Sequence, residues 1–121
     1  MTRVLIVDDS PTETHVLKGM LEKHGYQVDI ATTGEDGMRL AQEQTPDVIL
    51  MDIVMPGVNG FQATRKLSKD PATSGIPIVM ISTKDQDTDR IWAKRQGAKD
   101  YITKPVTEDE LLEKIKNALE G

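Results

Sequence analysis

A doubly wound α/β domain is predicted by three features of the chain. Short apolar runs alternate five times with segments of helical periodicity. Runs such as Val4-Leu5-Ile6-Val7 and Val48-Ile49-Leu50-Met51 are apolar at successive positions. Strands of that kind are covered on both faces, which suits a parallel sheet better than a half-exposed antiparallel one. Each gap between runs also holds a helix with a readable start.

The strand candidates are RVLIV (3–7), QVDIA (27–31), DVILMD (47–52), IPIVMIS (76–82) and KDYIT (99–103). Ser10-Pro11-Thr12-Glu13 reads as a capping box with proline at the first helical position. Behind it Val16, Leu17, Met20 and Leu21 form an apolar stripe, and Gly25 supplies the stop. A second helix starts between Thr33 and Asp36, with Met38, Leu40 and Ala41 facing inward and Pro46 beyond its end. Asn59-Gly60 taken alone signals a hairpin. The FQATRKL that follows is helical in pattern, so a loop into a third helix (61–69) is expected. A fourth helix (87–96) carries Ile91 and Trp92 and ends at Gly97. Thr107-Glu108-Asp109-Glu110 is another capping box, opening a last helix with Leu111, Leu112, Ile115 and Leu119 on one side.

The 121 residues suffice for one core, and no repeat or Gly/Ser/Pro linker separates a second unit, so a single domain (1–121) without an output domain is expected. An apolar fraction of 37% with 29% charged residues is globular rather than disordered. The net charge of -5, with no basic run, argues against a nucleic-acid binder. Cysteine is absent, which excludes disulfides, zinc-thiolate sites and thiol catalysis and fits a cytoplasmic protein. No apolar run approaches the roughly 18 residues of a membrane span, and the N-terminus turns acidic too early for a signal peptide, so no membrane insertion is expected.

Right-handed crossovers put the carboxyl ends of all five strands on one edge, where open α/β sheets bind their ligands. The first strand delivers Asp8 and Asp9 there, the third Asp52, the fourth Ser82, and the fifth Tyr101, Thr103 and Lys104-Pro105. Each feature alone has a simpler explanation. An Asp-Asp pair before a helix is commonly a cap, and Asp52 could be a turn residue. Together, three carboxylates suit a hard divalent cation such as Mg²⁺. A carboxylate beside a metal, a lysine and a hydroxyl suits phosphoryl transfer through an aspartyl-phosphate. Nucleotide binding has little support, because the glycines near Gly34 match no phosphate-loop pattern. His15 and His24 have no partner pattern, and Met51 and Met80 read as core filler. Trp92 is open to either a partner surface or a core role.

The set VLIVDDS, DVILMDIVMPGVNG, IPIVMIS and GAKDYITKP, spanning the whole chain, resembles the CheY-like receiver domain of two-component response regulators. DDSPTE, MDIVMPGVNGFQATRKL and TKDQDTDRIWAKRQGAKDY bring it nearest to the PilH-type stand-alone receivers of twitching-motility chemosensory systems. The resemblance implies a flavodoxin-like (βα)5 fold with strand order 2-1-3-4-5. It implies that Asp52 accepts a phosphoryl group from a CheA-like histidine kinase or a histidine phosphotransfer domain. Asp9, Asp52 and the Val54 carbonyl would ligate Mg²⁺, with Asp8 acting through water. Lys104 would pair with the phosphoryl group, and Lys104-Pro105 matches the family's cis peptide. Ser82 would be the switch hydroxyl and Tyr101 a rotating aromatic that moves inward from an exposed position.

A downstream partner would then read the face made by the fourth helix, fifth strand and fifth helix. Val54 and Lys84, two residues after Asp52 and Ser82, flank the approach of a hydrolytic water and would set the phosphorylated lifetime. Such a chain is no enzyme beyond its own phosphorylation and dephosphorylation. Two alternatives are a phosphate sink without output and a metal-dependent phosphatase. The second needs an acid two residues after the nucleophile, where this chain has Val54.

Overall fold

The computed structural model describes residues 1–121 as five strands and five helices in strict alternation. These are β1 (Arg3–Val7), α1 (Pro11–Glu22), β2 (Gln27–Ala31), α2 (Gly34–Gln44), β3 (Val48–Asp52), α3 (Gly60–Lys69), β4 (Ile78–Ser82), α4 (Asp87–Gln96), β5 (Asp100–Thr103) and α5 (Glu108–Glu120). All pairings are parallel, in the order β2-β1-β3-β4-β5. The chain leaves β1 towards one edge of the sheet and returns to β3 on β1's other side. Strand order therefore reverses between β1 and β3, and a crevice opens above their carboxyl ends. No helix is long and apolar enough to cross a membrane.

The unbroken apolar runs have the predicted cause. Side chains alternate across the pleat, and each face of the sheet is covered. Leu5, Val7, Ile49, Met51 and Met80 pack with Ala41 of α2, Ala63 and Leu67 of α3, and Ala93 of α4. Val4, Ile6, Leu50, Val79 and Ile81 pack with Leu17 and Leu21 of α1 and with Leu111 and Ile115 of α5. Two members of the expected stripes lie outside the core. Val16 and Leu119 are exposed, their helices facing the sheet through Leu17, Leu21, Ile115 and Ala118. Trp92 is 47% exposed beside an equally exposed Ile91, so it anchors no core.

The helix starts differ in an informative way from the capping boxes expected. Ser10 Oγ does accept the Glu13 N–H (3.3 Å), but Glu13 does not reach back. The Ser10 N–H donates instead to Asp8 Oδ1 at 2.9 Å. Thr107 likewise caps Glu110 in one direction only. The reciprocal box forms at α3, where Asn59 and Gln62 bond each other's backbone N–H. The hairpin reading of Asn59-Gly60 thus gives way to a helix start.

Gly60 holds the loop after β3 against the strand it has just left. Its N–H donates to the Ile53 carbonyl (2.8 Å), and an added Cβ would collide with the Asp52 carbonyl oxygen. Gly60→Ala is expected to lose about 1–3 kcal/mol in urea unfolding, as over-packed sites do. Gly19→Ala, on the open face of α1 where nothing lies within 4 Å, is expected to gain about 0.5–1 kcal/mol. Equal effects at the two glycines would mean that the loop after β3 has slack.

Candidate functional site

Asp8 directly follows β1, Asp52 closes β3, Ser82 closes β4 and Lys104 directly follows β5. Two of these positions are held by ladder bonds that run one residue past the strands. The Asp8 N–H donates to the Ala31 carbonyl (3.0 Å), and the Lys104 N–H to the Ser82 carbonyl (2.8 Å). The side chains are therefore aimed by the rigid sheet rather than by mobile loops. Lys104-Pro105 is cis, as the family likeness implied.

The ammonium of Lys104 is the hub. Its Nζ lies 2.6 Å from Glu13 Oε2, 3.4 Å from Asp52 Oδ1 and 3.7 Å from Asp8 Oδ2. Asp9, exposed at the rim, joins Asp8 and Asp52 in a cluster in which one carboxylate oxygen from each lies within 4.8 Å of the other two. Three carboxylates thus crowd around one ammonium, with a fourth, Asp9, beside two of them. Burial pushes the Asp8 carboxyl up to about 6, helped by the charge of Asp52 and opposed by the Ser10 N–H. Burial likewise raises Asp52 above the usual carboxylate range, although Lys104 pulls it down. Burial alone would lower Lys104, but the bond to Glu13 and the charges of Asp52 and Asp8 outweigh it and hold the ammonium protonated. The same bond lowers Glu13.

The donor set of Asp8, Asp9 and Asp52 is all hard oxygen and carries more negative charge than Lys104 balances, which fits a divalent cation of the Mg²⁺ type. The two buried carboxylates form the floor, and the exposed Asp9 leaves one side open to water or a second anion.

The remaining expected residues fall in a second group beside this one. Ser82 is buried, and its Oγ accepts the Lys84 N–H at 3.1 Å. Tyr101 is not in the exposed position anticipated for it. It is 8% exposed, and its hydroxyl donates to the Lys84 carbonyl at 2.8 Å. Its ring belongs to the core beneath α2, α3 and α4, and Arg90, one turn into α4, packs on it, its guanidinium carbon 5.1 Å from the ring centroid while Nη2 donates to Thr103 Oγ1 at 2.8 Å. A cation thus lies over the aromatic ring. Lys84 enters through its backbone, which touches both Ser82 and Tyr101, while its side chain stays in solvent. Val54 is 62% exposed above the crevice.

Glu13 and Arg90 escaped the sequence reading. Glu13 fitted a capping box so well that no other role was needed. Arg90 lay in a polar helix with nothing to mark it, although its position 11 residues before Tyr101 is visible in hindsight.

The family model for the response regulator receiver domain matches residues 4–116. Protein PilH of Pseudomonas aeruginosa is 62% identical over 121 residues, all of this chain and all of that one. Among solved structures, chemotaxis protein CheY4 of Vibrio cholerae superposes with a TM-score of 0.93 at 29% identity, covering 98% of this chain and 99% of that one. The receiver domain of sensor histidine kinase PA1611 from Pseudomonas aeruginosa PAO1 superposes with a TM-score of 0.92 at 29% identity, covering 99% and 98%. That domain holds a magnesium ion coordinated in its active site cleft.

The charge crowding has a measurable cost. Asp8 keeps its proton more firmly folded than unfolded, so below its ordinary value of 3.8 it costs nothing. As pH rises through about 6 the unfolded chain ionises first, and the penalty grows to its full size. In metal-free buffer at pH 7, Asp8→Asn is therefore expected to be more stable than the parent by roughly 1–3 kcal/mol. The advantage should shrink towards zero as pH falls to 4. Chemical unfolding in EDTA across that range checks it, and a destabilised Asn variant at pH 7 would mean that the Asp8 charge is well paired without metal.

Proposed function

The chain belongs to the response regulator receiver domain family, and on that premise we propose that it takes a phosphoryl group from a phosphohistidine onto Asp52. The observation that carries this reading is the Asp52 carboxylate itself. It ends the central strand, sits 3.4 Å from Lys104, and shares a cluster with Asp8 and Asp9.

In the step proposed, one Asp52 carboxylate oxygen attacks phosphorus in line with the departing histidine nitrogen. The P–O bond forms as the P–N bond breaks, and the imidazole leaves with the electron pair and takes up a proton. Asp52 must be ionised to attack. Lys104, kept protonated by its carboxylate neighbours, supports that state and can follow the charge onto a phosphoryl oxygen. Asp8, Asp9, Asp52 and the Val54 carbonyl would hold Mg²⁺, which when bound supplies positive charge to the phosphoryl oxygens. Rotation of the Ser82 hydroxyl towards the new phosphoryl group would break its bond to the Lys84 N–H. That loosens the segment whose carbonyl holds Tyr101, so the two groups would report phosphorylation together.

The chain would act on no substrate but itself. Position 54 supports this, since a valine cannot protonate a leaving group as a phosphatase acid must. Val54 and Lys84 border the route a hydrolytic water would take and would govern how long the phosphoryl group lasts. A partner docking on α4, β5 and α5 is supported by Ile91 and Trp92, exposed side by side there, which favours an effector over a phosphate sink. The full-length likeness to Protein PilH supports a stand-alone regulator, and the reading is completed by a CheA-like kinase as donor and twitching motility as output.

With Mg²⁺ and a small phosphodonor, intact-mass analysis should show one added phosphate on the parent and none on Asp52→Asn. Equal labelling of the Asn variant would remove Asp52 from the reaction.

A further inference from the structure

The shortest contact in the site belongs to a residue that the phosphoryl-transfer reading leaves unused. Glu13 Oε2 lies 2.6 Å from Lys104 Nζ, closer than either Asp52 or Asp8. Its placement is not a by-product of capping. As the third residue of α1 it could bond the Ser10 N–H, but Asp8 already occupies that donor. Glu13 instead reaches across to a loop 91 residues further along the chain.

The geometry points to Glu13 as a tethered anion that occupies Lys104 until a phosphoryl group displaces it. This rests on the reading that Asp52 is the acceptor. A phosphoryl group on Asp52 offers Lys104 a dianion with several acceptor oxygens, where Glu13 offers a single charge. The ammonium has three N–H donors, and Glu13, Asp52 and Asp8 already lie within 4 Å of it, so an arriving phosphoryl oxygen competes with these carboxylates for a place on Lys104. The exchange is easy for Glu13. Its side chain is 43% exposed against 14% for Lys104, so on release its carboxylate returns to water without being stranded. Glu13 is thus a positioning residue acting through Lys104. It keeps the ammonium ordered beside the crevice in the resting protein and subtracts from the affinity for any phosphoryl group that arrives.

The substitution that tests this is Glu13→Gln, which keeps the shape and removes the charge. With the full chain and saturating Mg²⁺, titration with beryllofluoride followed by NMR should show the Gln variant binding about twofold to fivefold more tightly, the range of a partly exposed ion pair. Affinity for Mg²⁺ alone should be equal or lower, because a neighbouring anion has been lost. The ε-methylene resonances of Lys104 should differ between the two proteins when free and coincide when both are saturated with beryllofluoride. Equal or weaker beryllofluoride binding by the variant would overturn the inference, and so would a Lys104 difference that persists at saturation. Asp52→Asn separates the two levels. If it binds beryllofluoride as well as the parent, the acceptor reading itself fails. If Asp52→Asn fails to bind while Glu13→Gln binds no more tightly than the parent, the acceptor stands and the tethered anion falls.

Discussion

One ammonium shared among three carboxylates is the constraint on which the rest of this structure depends. Lys104 is the only cation at the switch point of the sheet, and Glu13, Asp8 and Asp52 all lie within 4 Å of it. Coulomb attraction from one charge cannot balance that many in a partly desolvated crevice. The result is a resting site under electrostatic load, with Asp8 and Asp52 both held above their ordinary pKa range by burial. A fold that keeps such a load in place has to fix the groups rigidly. It does so with ladder bonds at Asp8 and Lys104 and with the packed turn at Gly60. The load is also what makes the site responsive, since any added cation relieves repulsion as well as gaining ligands.

A second consequence lies one strand over. Ser82 and Tyr101 are both tied to the backbone of Lys84. The peptide of Lys84 stands between them, its N–H on Ser82 and its carbonyl on Tyr101. A change at the crevice therefore has a short covalent path to the α4 surface. Arg90 sets the bias of that path, because its guanidinium packs on the Tyr101 ring and ties α4 to Thr103. The ring is held inward in the resting chain, and the guanidinium Nη1 is buried there without a hydrogen-bond partner. An unmet buried donor costs free energy, which offsets part of what the packing on Tyr101 and the bond to Thr103 contribute.

The architecture was legible because it rests on patterns that composition and period express directly. Unbroken runs such as Val48 to Met51 can only be buried on both faces, and parallel pairing then follows. The carboxyl-edge groups were legible for the same reason, since strand ends position Asp8, Asp52, Ser82 and Lys104 without reference to side-chain detail. Glu13 was not, because a residue three positions after a serine cap satisfies a local rule, and the competing long-range partner lies 91 residues away. Tyr101, expected in an exposed position, is buried instead, with Arg90 of α4 packed on its ring, a contact no local pattern encodes. Val16 and Leu119 were read inward because a helical stripe marks a face to within one residue either side. The sheet selected the neighbouring Leu17 and Ala118 instead.

The most direct test of the loaded site is to count protons when metal enters it. Mg²⁺ titrations by calorimetry, repeated in buffers of different ionisation enthalpy, give the number of protons released per ion bound. With Asp8 held near 6 in the metal-free protein, about half a proton per Mg²⁺ should be released at pH 6 and close to none at pH 8. Binding at pH 6 with no proton release would contradict the account, because Asp8 would then be fully ionised before the metal arrives and the metal-free site would carry no load at that carboxylate.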